Sequence, residues 1–146
     1  METTSQVHII SFGYLHPPAV EGSTRDGATI TVDVRRHFRD PSQDPALREM
    51  TGLDSRVKVL VLHTLGAVDF VRTLAETVLA LLQWQRVVLA IGCAGGRHRS
   101  VALAEAIRDR LSSEGIVVTI EHTHIHLPVV TPTVAAPATR LARLKL

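Results

Sequence analysis

The chain has 146 residues, 45% of them hydrophobic and 21% charged, which is enough for one core and excludes a disordered tail or a coiled coil as the main architecture. The formal net charge is +2. Arg140, Arg143 and Lys145 supply three of the sixteen basic residues, and the thirteen left face fourteen acids, so the body carries −1 and is no polycation for nonspecific nucleic-acid binding.

No run of 18 apolar residues occurs, and the first residues lack a basic stretch, a long apolar segment and a small-residue cleavage site. A cytoplasmic protein with no membrane partner is expected. Cys93 is the single cysteine, so it acts as a thiol rather than in an intramolecular disulfide or a Cys-rich zinc site, and no cofactor is expected.

In chain order, residues 6–12 read as a strand that stops at Gly13 and is followed by the turn-forming Pro17-Pro18 pair. Residues 28–34 read as a second strand, with Ile30, Val32 and Val34 on one face and Asp33 and Arg35 delivered to its end. Residues 36–54 read as a long functional loop with one short helix over 45–50, since proline suits a helix's first position. The apolar run 57–65 fits a strand or a helix equally, and its apolar content points to self-association.

Val71, Leu74, Ala75, Val78, Leu81 and Leu82 recur at helical spacing and predict an amphipathic helix over 68–84, with Arg72 and Glu76 as an i,i+4 pair. Residues 86–92 form a nearly continuous apolar run, as in a strand buried on both faces of a parallel sheet. Val101, Ala104, Ile107 and Leu111 predict a helix ending at Gly115, and residues 116–120 predict a further strand. Alternating strands and helices imply a single small α/β domain over residues 1–127, a mostly parallel sheet flanked by helices. Residues 128–146 read as a flexible tail rich in Pro, Ala and Thr with a basic end.

Between the buried strand and the next helix lies Gly92-Cys93-Ala94-Gly95-Gly96-Arg97-His98-Arg99-Ser100, the place where α/β folds bind ligands. Gly95 and Gly96 permit positive φ and close backbone approach to an anion, and the following helix offers unpaired N–H donors. Arg97 and Arg99 present planar forks suited to phosphate, His98 carries charge below its pKa, and Ser100 serves as a cap or ligand donor. The Gly-x4-Gly-Lys spacing of a nucleotide P-loop is absent. The plainer alternative is a glycine-rich turn with solvated arginines.

The same stretch matches a Cys-x5-Arg-Ser template similar to the phosphate loop of cysteine-dependent phosphatases. Cys93 would then be the nucleophile, Arg99 the phosphate clamp and Asp40 the acid. Gly92 stands where the common form has His, and a packing role is the alternative for Cys93. The cluster from Asp33 to Asp40 could form the opposite wall of the cleft, with Arg35 as a further anion contact oriented by Asp33, while Arg36 and Arg39 read as solvated. His16, beside Tyr14, follows the first strand. His122, His124 and His126 alternate at strand spacing on one face, which offers a zinc or nickel site or merely an exposed strand face.

Ser11-Phe12-Gly13-Tyr14, Asp33-Val34-Arg35, Thr51-Gly52-Leu53-Asp54 and the loop from Ile91 to Ser100 occur in the order and spacing of one family. Over residues 6–127 the chain resembles the C-terminal domain of the RNase adapter RapZ family. There the domain follows an N-terminal P-loop nucleotide-binding domain, and this chain looks like a stand-alone version of the second part. The resemblance implies a non-catalytic α/β binding domain, likened to the phosphofructokinase subdomain. Its expected ligand is a phosphorylated metabolite such as glucosamine 6-phosphate, and its expected partners are small RNA or a regulatory protein. Carried over by position, Cys93, Ala94, Gly95, Gly96, Arg97, His98, Arg99 and Ser100 would hold the phosphate, with Arg35, Asp33 and His16 facing it. Ala94 replaces the family's usual Thr, and Arg36-His37-Phe38-Arg39 replaces a more apolar segment. With 3% aromatic residues, RNA binding would be electrostatic and salt-dependent.

Overall fold

The computed structural model of the chain describes residues 5–17 and 27–130. Pro18 of the Pro-Pro pair and the tail beyond residue 130 lie outside them. Four strands, β1 (Val7–Gly13), β2 (Ile30–Asp33), β3 (Val87–Cys93) and β4 (Val118–His122), form one parallel sheet in the order β2-β3-β1-β4. Three helices, α1 (Ser55–Leu62), α2 (Ala67–Leu82) and α3 (Arg99–Ser113), complete the α/β domain that the alternating pattern implies.

Burial follows strand position. β1 and β3 are central, and each reads as a nearly continuous buried run. Edge strands β2 and β4 alternate half-buried and exposed residues. Val7 and Ile9 of β1, and Val87, Leu89 and Ile91 of β3, join one core cluster with residues of all three helices. Ile10, Phe12 and Ala90 alternate with them and form a second, smaller cluster with Tyr14 and Val88. The helices therefore share one face of the sheet.

The ambiguous run after residue 56 is a helix. Asp54 caps it, accepting from the Arg56 amide at 2.9 Å, and its fully buried residues are Val57 and Val61, four apart as on a helix face rather than two apart as on a strand. The α1–α2 junction leaves Val59, Leu65 and Val68 exposed. The short helix expected over 45–50 is displaced. A single 3-10 turn forms at Pro41–Gln43, where Asp40 accepts from the Ser42 amide at 3.0 Å. Residues 44–50 follow as turns closed by Arg48 N–H to Asp44 C=O at 2.9 Å and Met50 N–H to Leu47 C=O at 3.0 Å. The expected Arg72–Glu76 pair is also replaced: Arg72 donates to Asp69 at 2.9 Å, one turn toward the helix N-terminus, where an acid complements the dipole.

β1 and β3 are neighbours whose outgoing connections lead to opposite edges of the sheet, β1 toward β2 and β3 toward β4. A parallel sheet keeps its crevice at the carboxyl ends of such strands. Those ends are Gly13 and Cys93, which are register partners.

A Cβ added at Gly13 would lie 2.4 Å from the Gly95 carbonyl carbon and 2.7 Å from the Gly96 nitrogen, whereas one at Gly27 meets nothing within 4 Å. Gly13→Ala is expected to destabilise the domain by about 1–3 kcal/mol, the scale of overpacking against backbone, while Gly27→Ala leaves stability within about 1 kcal/mol of wild type. Urea unfolding of both variants checks the contrast.

Candidate anion site at the carboxyl end of the sheet

Past the last register pair, β1 and β3 keep exchanging hydrogen bonds. The Tyr14 amide donates to the Cys93 carbonyl at 2.9 Å and the Leu15 amide to the Ala94 carbonyl at 3.0 Å. The chain then turns back at Gly96, whose φ of +71° is left-handed and whose missing Cβ leaves room for the Gly13 nitrogen. It turns around sulfur: Cys93 Sγ accepts from the Gly96 amide at 3.2 Å and lies 3.1 Å from Ser100 Oγ. Cys93 is 3% exposed. Ser100 thus holds the thiol instead of capping α3, whose N-cap is His98 without a side-chain cap bond. Among the described residues, no backbone hydrogen bond engages the amides of Gly95 and Arg97. Together with the first turn of α3, which has no side-chain cap, these amides are backbone donors near the strand end.

The three side chains read as converging on an anion instead fan outward to backbone carbonyls. Arg99, 5% exposed, donates through Nη1 to the Arg35 carbonyl at 2.9 Å and, less closely, to the carbonyls of Val34 and His37 at 3.5 and 3.4 Å. Its Nη2 lies 3.5 Å from Asp40. Arg97 donates to the Met50 carbonyl at 3.1 Å, the Leu127 carbonyl at 3.2 Å and the Glu49 carbonyl. His98 Nε2 is 2.9 Å from the Arg48 carbonyl. A carbonyl can only accept, so Nε2 carries the proton. Burial holds the His98 pKa below its ordinary 6.5, and the expected cationic contribution from this residue is absent at neutral pH.

Gly52 completes the packing. Its amide donates to the Arg97 carbonyl at 2.8 Å, and a Cβ there would lie 2.5 Å from the His98 oxygen. The cleft between these parts is small, about 20 Å³, room for about one water, and its lining includes Asp40, Ser42, Cys93, Arg99, Val129 and Val130.

Arg35 and Asp33 are paired as read from the sequence. The guanidinium donates through Nε and Nη2 to both carboxylate oxygens, the closest contact being 2.7 Å, and its Cζ stacks 4.1 Å from the Tyr14 ring centroid. That hydrogen bonding holds the Asp33 carboxyl below the usual carboxylate range and raises Arg35. Gly92 makes the stack possible, since a Cβ there would fall 2.3 Å from the Tyr14 ring. His16 turns to the segment after β4: its Nε2 contacts the Pro128 carbonyl at 3.2 Å and its ring lies tilted at 43° to that of His124, with centroids 5.3 Å apart.

The shared face expected for His122, His124 and His126 does not form, because β4 ends at His122 and the chain turns. His122 bridges Ser11 Oγ at 2.6 Å and Glu105 Oε1 at 2.9 Å. His124 is buried and accepts from the Gly13 amide at 2.8 Å through Nδ1, so its Nε2 donates to the Pro17 carbonyl at 3.0 Å. His126 is exposed. Among the described residues, no three His, Cys, Asp or Glu side chains group as a metal site. Reading along the chain named Gly13 as a strand end, Tyr14 and Gly52 within family motifs and His124 as a metal candidate, and gave none of them a place beside the glycine loop. The signal was glycines at strand and loop ends, whose partners are distant in sequence.

A family model for the RapZ C-terminal domain matches residues 5–126. The chain belongs to the RapZ C-terminal domain family. Among similar proteins, one from Thermobifida fusca (strain YX) is 36% identical over 127 residues, covering 83% of this chain and 41% of its own length. Another, from Nitratidesulfovibrio vulgaris (strain DP4), is 40% identical over 129 residues, covering 84% and 40%. Both carry the name nucleotide-binding protein. The chain thus spans about two fifths of the length of these relatives. In this member of the RapZ C-terminal family, no helix among the described residues is long and apolar enough to cross a membrane.

Because the folded-state pKa of His98 is depressed, the unfolded chain takes up the proton first as pH falls. The stability His98 contributes is complete above about pH 6.5 and is lost as pH falls through its lower folded pKa. The urea midpoint of the wild type is expected to fall between about pH 7.5 and 5.5. His98→Gln, which retains a donor for the Arg48 carbonyl, should show a smaller drop. An equal drop in both proteins removes His98 as the cause.

Proposed function

We propose that this domain binds a phosphorylated metabolite, an amino-sugar phosphate such as glucosamine 6-phosphate or a nucleotide-type anion, in the glycine loop, and signals occupancy to a protein or RNA partner without catalysis. The observation that carries the reading is a set of backbone donors at the carboxyl end of the central strands: among the described residues the amides of Gly95 and Arg97 make no backbone hydrogen bond, they flank a left-handed Gly96, and the N-terminus of α3 has no side-chain cap. Such donors suit a phosphate dianion. Arg35, held flat between Asp33 and Tyr14, adds a preorganised cation at the same end of the sheet. The relatives' name, nucleotide-binding protein, supports a phosphorylated ligand, although it belongs to proteins more than twice as long as the matched region.

A non-catalytic role agrees with the cysteine. In a phosphatase the thiolate and the arginine face one phosphate. Here Cys93 is buried, and Arg99 turns to the carbonyls of Val34, Arg35 and His37 while Asp40 caps a turn. Signalling follows from the same bonds. Arg99, His98, Arg97 and Gly52 tie residues 34–52 to the loop, so an anion that redirects any of them shifts the population of that surface. Self-association belongs to the proposal as well, through the exposed Val59, Leu65 and Val68.

Gly95→Ala tests the site. A Cβ there meets nothing closer than the Val130 nitrogen at 3.9 Å, so the fold accommodates it, while the methyl occupies the approach to the amides. Calorimetry with inorganic phosphate, glucosamine 6-phosphate and nucleotides should show affinity falling at least about tenfold, or ~1.4 kcal/mol. Arg99→Ala should weaken binding by about 1.5–3 kcal/mol but also unpins residues 34–40, an effect Gly95→Ala avoids. Unchanged affinity in Gly95→Ala places the ligand elsewhere, and p-nitrophenyl phosphate turnover lost in Cys93→Ser makes the domain an enzyme.

A further inference from the structure

Arg97 is bonded unlike the other cations of the loop. Its guanidinium reaches two stretches far apart in sequence, the carbonyls of Glu49 and Met50 on one side and that of Leu127 on the other. Among the described residues, no carboxylate lies within ion-pair distance of it, so its charge is met by neutral dipoles alone. Arg99, by contrast, has Asp40, and Arg35 has Asp33. The stretch fastened through Leu127 continues into Val129 and Val130, which wall a cleft of only about 20 Å³ beside Gly95. An anion entering this cleft lies beside Val129 and Val130.

We propose that Arg97 is an exchangeable latch: it fastens the 49–50 and 127–130 stretches together beside the glycine loop, and a phosphate arriving at the loop amides takes over the guanidinium and releases both. The second half rests on the anion site proposed above. The physical basis is the difference between acceptors, because hydrogen bonds to a charged oxyanion are stronger than those to neutral carbonyls, and an arginine fork suits phosphate bidentately. Each stretch keeps a second side-chain tie, the 44–50 stretch through His98 at the Arg48 carbonyl and the 127–130 stretch through His16 at the Pro128 carbonyl, so release loosens both without detaching either. Ligand binding at this site would therefore loosen a neighbouring stretch and offer the 127–130 backbone to a partner.

Methyl and arginine Nε–H nuclear magnetic resonance on the whole chain tests this, with inorganic phosphate as the probe. The reporters are the methyls of Met50, Leu127, Val129 and Val130, and the fully buried Ile9 and Leu89 monitor the fold. In Arg97→Ala the four reporters should move. Phosphate should drive the wild-type signals toward the same positions while shifting the Arg97 Nε–H signal. Arg97→Lys, which keeps the charge but not the fork, should move the reporters too, and it decides the matter should Arg97→Ala disturb Ile9 and Leu89. Unmoved reporters in a folded Arg97 variant overturn the latch, whether or not phosphate binds. Moved reporters in the variants, with no phosphate-induced shift anywhere in the wild type, uphold the fastening but remove the exchange step and the anion site together.

Discussion

The domain depends on one backbone-to-backbone approach, that of Gly13 against Gly95 and Gly96. With no Cβ on either side, the end of β1 comes close enough for Tyr14 and Leu15 to continue bonding to Cys93 and Ala94 beyond the strands. That continuation carries Tyr14 over Gly92, and the Tyr14 ring in turn supports Arg35. It also presents the Gly13 amide to His124, which ties the segment after β4 to the same point. The Gly13 amide is tolerated there because it has His124 as its partner. The partners lie where they do because two glycines let three chain segments share one place.

Around that contact the cations of the loop have a structural role before any ligand is considered. Arg99, Arg97 and His98 reach carbonyls of a stretch, residues 34–50, that has little regular structure of its own. A loop of that length packs poorly by itself, and guanidinium forks, with five donors each, can gather several carbonyls at once. A ligand that competes for those forks acts on the irregular stretch directly, and binding and signalling then use the same bonds.

Much of this was legible along the chain. The alternation of residues 6–12, the apolar run of residues 86–92 and the helical spacing of α2 and α3 implied the α/β sheet, and the strand–glycine loop–helix junction singled out a candidate site. The pairing of Asp33 with Arg35 followed from two residues at a strand end. What was not legible depended on partners distant in sequence. Residues 57–65 have an apolar content that a strand or helix could use, and only the Asp54 cap and the burial of Val57 and Val61 decided for α1. The three alternating histidines looked like one strand face until the end of β4 at His122 sent each to a different partner.

The sequence by itself determined the alternating α/β pattern, the buried run of β3, the single thiol and the place of the glycine loop, because periodicity and glycine placement are local properties. Only the tertiary structure decided the direction of the arginines, the neutral state of His98 and the purpose of Gly13, Gly52 and Gly92. Hydrogen-bond direction, desolvation and close backbone approach are set by whichever distant segment comes to lie opposite, and no local pattern records that.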